Sequence, residues 1–267
     1  MKLSIITINY NNKTGLEKTF NSVIGQTSHE FEWVIIDGGS TDGSKEVIIN
    51  LTLNDNLNPN VNIGYWCSEP DNGIYNAMNK GIAHATGEYL HFLNSGDSLV
   101  DKHVISDFNA LSCEEDIVAG DIILDSDPAR RLNSPREEDI DYDFFKYSMV
   151  RHSASYMKRS LFLKYGGYDE KYRIVSDMKY FMETLLKYNC TYRHWNRIVT
   201  DFNTDGISEN PQTHELDLKE RAIVFEDFLP RYYRSIKKRD KRIKELDKSL
   251  MTLFKEKLQQ KFRRILS

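Results

Sequence analysis

Glu69-Pro-Asp-Asn-Gly-Ile-Tyr-Asn-Ala-Met-Asn-Lys-Gly-Ile-Ala-His-Ala-Thr-Gly-Glu-Tyr-Leu-His-Phe-Leu-Asn-Ser-Gly-Asp97 is the stretch on which the fold turns. Pro70, Asp71, Asn72 and Gly73 break regular structure. Ile74, Ala77, Met78 and Ile82 recur at helical spacing and mark one face of a helix that Gly87 stops. Tyr89-Leu-His-Phe-Leu93 is then mostly apolar, as a strand covered on both faces should be. Ser95, Gly96 and Asp97 follow where an open α/β sheet places its ligand, beyond the carboxyl ends of its strands. A carboxylate there can hold a divalent metal and, through it, a phosphate. The plainer alternative is that Asp97 caps a following helix.

The same alternation extends to both sides. Leu3 to Tyr10 reads as a first strand, followed by a helical face of Leu16, Phe20, Val23 and Ile24. Phe31 to Ile36 is a second strand, and Asp37-Gly-Gly-Ser-Thr-Asp-Gly43 follows at once. Ser44 to Leu51 reads as a helix with Asp42 or Ser40 as its cap, and Asn62 to Ser68 as a third strand. Alternating strand and helix predict a mostly parallel central sheet flanked by helices, an α/β class with a Rossmann-like first half. The turn after the second strand lacks the G-x-G-x-x-G order of dinucleotide folds. It reads either as a tight turn before a helix or as a nucleotide site, with Asp37 accepting hydrogen bonds and the small residues letting backbone approach the ligand.

The 267 residues allow one large domain or two joined halves, and 40% hydrophobic with 28% charged residues indicates a globular chain with a sizeable core. Three cysteines, Cys67, Cys113 and Cys190, form no metal-ligand spacing and no even framework, which points to a reducing, cytoplasmic compartment. The start of the chain has no signal-peptide pattern, and no uncharged run reaches the ~18 to 20 residues that span a bilayer. The net charge of −4 hides an asymmetry: residues 231–267 hold fourteen Lys or Arg against four Asp or Glu, so the preceding body is strongly acidic.

Beyond Asp97, Ile117 to Leu124 reads as another apolar strand. Residues 125–143 carry seven Asp or Glu and three Arg and read as a solvated loop or as a loop over an active site. Val175-Ser-Asp-Met-Lys-Tyr-Phe-Met-Glu-Thr-Leu-Leu186 begins a helix that buries Met178, Phe181, Met182 and Leu185. Ser176 or Asp177 is its expected cap, since a carboxylate there meets free N–H groups and the positive helix end. In the tail, Leu246, Leu250, Leu253, Phe254, Leu258, Phe262 and Ile265 make a helical stripe among basic residues. Such a helix packs on the body, pairs subunits into a homo-oligomer, or lies on an anionic membrane.

Taken in order, Thr7-Ile-Asn-Tyr-Asn11, Trp33-Val-Ile-Ile-Asp-Gly-Gly-Ser-Thr-Asp-Gly43, Ser68-Glu-Pro-Asp-Asn-Gly-Ile-Tyr-Asn-Ala-Met-Asn-Lys-Gly81 and Leu93-Asn-Ser-Gly-Asp97 resemble family 2 inverting glycosyltransferases of GT-A type. Within that family they look most like the colanic acid, O-antigen and capsular polysaccharide branch. The resemblance implies a GT-A domain over about residues 1–215, with a nucleotide-sugar half (about 1–105), an acceptor half (about 106–215) and a basic helical extension (216–267). It implies that Thr7, Asn9, Tyr10, Asp37 and Ser40 border the nucleotide, with Asp71 and Lys80 toward the ribose or diphosphate. Asp97 would be the metal-binding aspartate, for Mn2+ or Mg2+. Ser95 stands where the motif's first aspartate is common. Asp177 matches the family's catalytic base, with Ser176 in place of the usual glutamate. His152, in Arg151-His-Ser-Ala154, would contact sugar or diphosphate, and Phe202 to Ser208 would close on the diphosphate. The implied reaction is inverting, metal-dependent transfer of a hexosyl or N-acetylhexosaminyl group from a nucleoside diphosphate sugar, expected to be UDP-linked. The implied acceptor is a glycan hydroxyl, expected on a lipid-linked oligosaccharide, with the tail in peripheral contact with the inner membrane face.

Three rival functions have sequence criteria. A sugar nucleotidyltransferase should carry a Gly-rich basic loop after its first strand, and Asn9-Tyr-Asn-Asn-Lys-Thr-Gly15 has one glycine. A glycosyltransferase-like subunit that binds nucleotide sugar without turnover is the alternative favoured by Ser95 and Ser176. Nucleic acid binding is discounted, because the basic tail lacks a recognition fold.

Overall fold

A computed structural model describes residues 2–53, 61–206, 210–228, 230, 234–235, 237–245 and 248. The chain divides into two compact units, residues 1–217 and 218–267. The apolar stripe expected from Leu246 to Ile265 lies outside the described residues.

The first unit opens with β1 (Leu3–Asn9), α1 (Lys13–Ile24), β2 (Glu32–Asp37), α2 (Ser44–Leu53), β3 (Asn62–Ser68), α3 (Ile74–His84) and β4 (Tyr89–Phe92). It continues through β5 (Ser98–Leu99), α4 (Val104–Ala110), β6 (Ile117–Leu124), β7 (Asp127–Leu132), α5 (Tyr142–Tyr147), β8 (Ser155–Lys158), α6 (Arg159–Tyr165), α7 (Ser176–Met182) and β9 (Tyr192–Phe202). A further helix, α8 (His214–Phe228), crosses the division between the units. One sheet runs β3-β2-β1-β4-β8-β6-β9-β5, with β7 paired to β6.

The alternation of the first hundred residues delivers the expected parallel sheet: β1 pairs with β2 and β4, and β2 with β3, all parallel. Strands β1, β2 and β4 are buried along their whole length, which accounts for their continuous apolar runs. The sheet turns mixed beyond β4, because β8 runs antiparallel to both β4 and β6. One core cluster gathers Leu3, Ile5, Trp33, Ile35, Leu16, Phe20 and Val23 around the face that α1 covers.

On α3 the buried face is Tyr75, Ala77, Met78 and Gly81, rotated from the predicted one, and Ile74 and Ile82 are only half-buried. Gly81 explains the rotation: a methyl group there would lie 2.4 Å from Ile6 Cγ2, so the helix rests directly on β1. The acidic stretch expected as a loop is partly strand. Asp125 and Ser126 adopt positive φ (50° and 61°) in a tight turn that folds β7 back onto β6. The helix-cap reading of Asp97 is also overturned, since Asp97 leads into β5 rather than a helix.

The order β2-β1-β4 matters for function. After β1 the chain crosses to β2 on one side and returns through α3 to β4 on the other, so the sheet reverses direction of growth between β1 and β4. At such a switch point the loops at the carboxyl ends part and leave a crevice. Here those loops are residues 10–12 and 93–97.

Candidate active site

Asp37 ends β2, and its carboxylate takes four donors. Oδ1 accepts from Asn9 Nδ2 (2.8 Å) and Ser40 Oγ (2.5 Å), and Oδ2 from the Ser40 N–H (3.0 Å) and Ser68 Oγ (2.6 Å). Burial pushes the carboxyl up, but the hydrogen bonds from Ser40, Ser68 and Asn9 outweigh it and hold Asp37 below the ordinary carboxylate range. With both oxygens engaged, Asp37 ties the ends of β1, β2 and β3 into a pocket floor. Asn9 Oδ1 is buried there with no hydrogen-bond partner.

Over that floor three groups meet. A methyl group on Gly38 would lie 2.5 Å from Asp71 Oδ2 and 3.1 Å from the Tyr10 ring, so only glycine lets this backbone sit beneath both. Tyr10 is 67% exposed and offers a ring face at the crevice mouth. Lys80 reaches the same turn from α3, bonding Glu69 Oε1 (2.8 Å) and the Pro70 carbonyl (3.3 Å). Of the residues assigned to this pocket, Thr7 stands apart. It is fully buried, and its hydroxyl accepts the Trp33 indole N–H (3.0 Å), so its side chain supports the sheet rather than the pocket.

The loop after β4 crosses to β1, where the Ser95 N–H donates to the Ile8 carbonyl (3.0 Å) and Asn12 Nδ2 to the Ser95 carbonyl (3.1 Å). Gly96 takes φ +104° and lets the chain double back. Thr19 of α1 donates its hydroxyl to the Asp97 carbonyl (2.6 Å), and the Asn203 N–H donates to Asp97 Oδ1 (3.0 Å). Asp97 is 4% exposed, and burial pushes its carboxyl up to about 7. No group of three or more metal-ligating side chains occurs among the described residues. One poorly solvated carboxylate is nonetheless a fitting donor set for a divalent ion that also binds a substrate diphosphate, because such ions are often held by one or two carboxylates with phosphate oxygens and waters.

Asp177 lies in the first turn of α7 and is almost fully buried. It does not occupy the cap position, which is Val175, without a side-chain bond, and Ser176 Oγ has no hydrogen-bond partner, but the Asp177 carboxylate takes the free Met178 N–H of the first turn. Asp177 Oδ1 accepts from the Tyr75 hydroxyl (2.9 Å), and Oδ2 lies 3.0 Å from His152 Nδ1. Burial acts to raise the Asp177 carboxyl, but the hydrogen bond from His152, with those from the Tyr75 hydroxyl and the Met178 N–H, holds it below its ordinary value. Tyr75 itself is pushed well above the ordinary phenol range by burial and by Asp177, and stays a donor. The other ring nitrogen of His152, Nε2, lies 3.3 Å from Asn94 Nδ2. The residue expected beside the diphosphate thus stands between Asp177 and the Asp97 loop.

Asn94 and Tyr75 join the site without having been assigned to it from the sequence, and Asn203 joins it from the Phe202 to Ser208 segment expected there. Tyr75 and Asn94 sit inside quoted motifs, so the signal was present as position. What was hidden is that α3 and the loop after β4 face a helix eighty or more residues later. The polar side of α3 adds to this, with Asn79 donating to the Tyr168 carbonyl and Asn76 to Glu170 (2.8 and 2.9 Å), which fixes the segment leading to α7. Ser208, expected to close on the diphosphate, lies outside the described residues.

Comparison with known proteins identifies the family and the fold. The family model described as glycosyl transferase family 2 matches residues 4–174. An uncharacterized glycosyltransferase of Mycobacterium tuberculosis (strain ATCC 25618 / H37Rv) is 32% identical over 236 residues, covering 84% of this chain and 80% of the relative. A PGL/p-HBAD biosynthesis glycosyltransferase of Mycobacterium bovis (strain BCG / Pasteur 1173P2) is 32% identical over 231 residues, covering 85% and 82%. Among solved structures, S. aureus TarS residues 1–349 with UDP superposes with a TM-score of 0.63 at 17% identity, covering 84% of this chain and 64% of that one, so this chain spans under two thirds of it. Mannosyltransferase PcManGT from Pyrobaculum calidifontis, solved with GDP-Man and Mn2+, gives 0.57 at 16% identity, covering 75% and 56%. At these identities the structural likeness shows the fold, which is GT-A. On the family match and the identity of its relatives, this chain belongs to glycosyltransferase family 2.

Proposed function

We propose that this glycosyltransferase moves a hexosyl or N-acetylhexosaminyl group from a nucleoside diphosphate sugar, UDP-linked, to a hydroxyl of a glycan acceptor with inversion at the anomeric carbon. The observation that carries the reading is the convergence of Asp97 and Asp177 at the sheet's switch point, joined through Asn94 and His152. Tyr10 stacks on the base, the unpartnered Asn9 Oδ1 accepts the single N–H that a uracil offers, and Asp71 faces the ribose. Lys80 and Ser95 lie toward ribose and diphosphate. Asp97, with the donor's own phosphate oxygens, would hold Mn2+ or Mg2+, which supplies positive charge against the leaving diphosphate. Asp177 is ionised throughout the neutral range and takes the proton of the acceptor hydroxyl as that oxygen attacks from the face opposite the leaving group.

The uridine assignment draws on TarS, which is solved with UDP and with UDP-GlcNAc; PcManGT, with GDP-Man, makes a guanine donor the control. A lipid-linked oligosaccharide of bacterial surface polysaccharide is the acceptor class proposed. Among the described residues no helix is long and apolar enough to cross a membrane, so membrane contact would be peripheral. The test is nucleoside diphosphate release from UDP, GDP and dTDP sugars with Mn2+, Mg2+ or EDTA, a lipid-pyrophosphate sugar acceptor, and the Asp97→Ala and Asp177→Asn variants. Metal-dependent release from one donor, lost in both variants, is the expected result. Tight donor binding with no product from any acceptor would overturn the transferase assignment in favour of a nucleotide-sugar-binding subunit.

A further inference from the structure

We infer that Asn94 is a positioning residue that holds the His152 imidazole in the tautomer donating from Nδ1 to Asp177. The inference rests on the reading of Asp177 as proton acceptor. A neutral imidazole carries one proton, and whichever nitrogen bears it leaves the other as an acceptor. Asp177 Oδ2, as a carboxylate, can only accept, so the 3.0 Å contact places the proton on Nδ1. Nε2 is then the lone-pair atom, and Asn94 Nδ2 donates to it at 3.3 Å. The two contacts require the same tautomer. In free histidine the proton favours Nε2, so the Nδ1–H form has to be held by its surroundings.

Asn94 is itself held within its loop, since its backbone carbonyl accepts from the Asp97 N–H (3.0 Å). The row Asn94, His152, Asp177 therefore ties the base to the loop that carries Asp97. The opposite amide orientation is chemically distinct. Asn94 Oδ1, buried and without a hydrogen-bond partner, would then face Nε2 and demand a proton there. A proton on both nitrogens would set an imidazolium against Asp177 and make that carboxylate a weaker base.

The experiment is a long-range proton–nitrogen-15 spectrum of the full-length chain, with His152→Asn assigning the resonance. Wild type should show a protonated Nδ1 and an unprotonated Nε2, and Asn94→Ala a mixture of tautomers. In turnover, Asn94→Ala should lower kcat on the order of tenfold to a hundredfold with the donor KM little changed. His152→Asn retains an N–H near the Nδ1 position and removes Nε2, so adding Asn94→Ala to it should have little further effect. A wild-type imidazole protonated at Nε2, or losses that simply add in the double variant, would overturn the inference. If wild type transfers from no donor, the proposed function fails while the spectrum still decides the tautomer.

Discussion

Asp97→Asn is expected to stabilise the metal-free protein at alkaline pH while removing its activity. The substitution keeps the side chain's shape and an oxygen for the Asn203 N–H, and removes only the charge. Burial pushes the Asp97 carboxyl from 3.8 to about 7 in the folded chain. Because the folded value is the higher one, its contribution favours folding fully below about pH 3.8 and is lost as pH rises through about 7. At about 1.4 kcal/mol per pH unit the whole swing is about 4 kcal/mol, of which about 3 kcal/mol falls between pH 5 and 8.5. Asparagine has no such swing. Urea unfolding in EDTA should therefore show the variant's advantage growing by about 3 kcal/mol between those pH values, a midpoint gain on the order of 1 M. Added Mn2+ with nucleoside diphosphate should raise the midpoint of wild type at pH 8.5 and leave the variant unmoved. An advantage equal at both pH values, or a variant less stable at pH 8.5, would refute the claim that Asp97 is held in a poorly solvating environment.

Tyr75→Phe removes the one hydroxyl proton shared between the Ile174 carbonyl (2.5 Å) and Asp177 Oδ1 (2.9 Å), both buried, and should cost about 2 to 3 kcal/mol in denaturant unfolding. In a donor titration it should lower kcat more than it raises KM. Asp37→Asn turns an amide toward groups that themselves donate and should weaken nucleoside diphosphate binding by about tenfold or more in calorimetry. Asp37 has a depressed folded value, so its stabilisation is present above the ordinary carboxylate range and is lost as pH falls; the stability gap to the variant should narrow on acidification. Gly81→Ala should destabilise despite the better helix propensity of alanine, since the new methyl lies 2.4 Å from Ile6 Cγ2. Overpacking of about 1 to 3 kcal/mol against a propensity gain of about 1 kcal/mol predicts a lowered melting temperature.

The alternation from Leu3 to Phe92 determined the parallel half of the sheet without help, because both faces of those strands are covered and the run of apolar residues needs no partner to be read. The turns at Asp37 to Gly43 and Glu69 to Gly73 were legible for a related reason: glycine, proline and short polar residues impose local geometry wherever they occur. The antiparallel β8 and the β6–β7 hairpin were not legible. A four-residue strand carries no mark of its direction, and an acidic stretch looks like a loop until Asp125 and Ser126 reverse the chain. The site divides along the same line. Asp37, Asp71 and Asp97 could be placed from their positions after strands, because the end of a strand at a switch point is a location that sequence order supplies. The setting of Asp177 could not. Its donors come from Tyr75, one hundred and two residues earlier, and from His152, which Asn94 contacts in turn, and only the tertiary fold brings α3, α7 and these loops within hydrogen-bond reach. Sequence sets which groups a chain carries, whereas their ionisation and tautomers follow from neighbours and from exclusion of water, and these exist only once the chain has closed on itself.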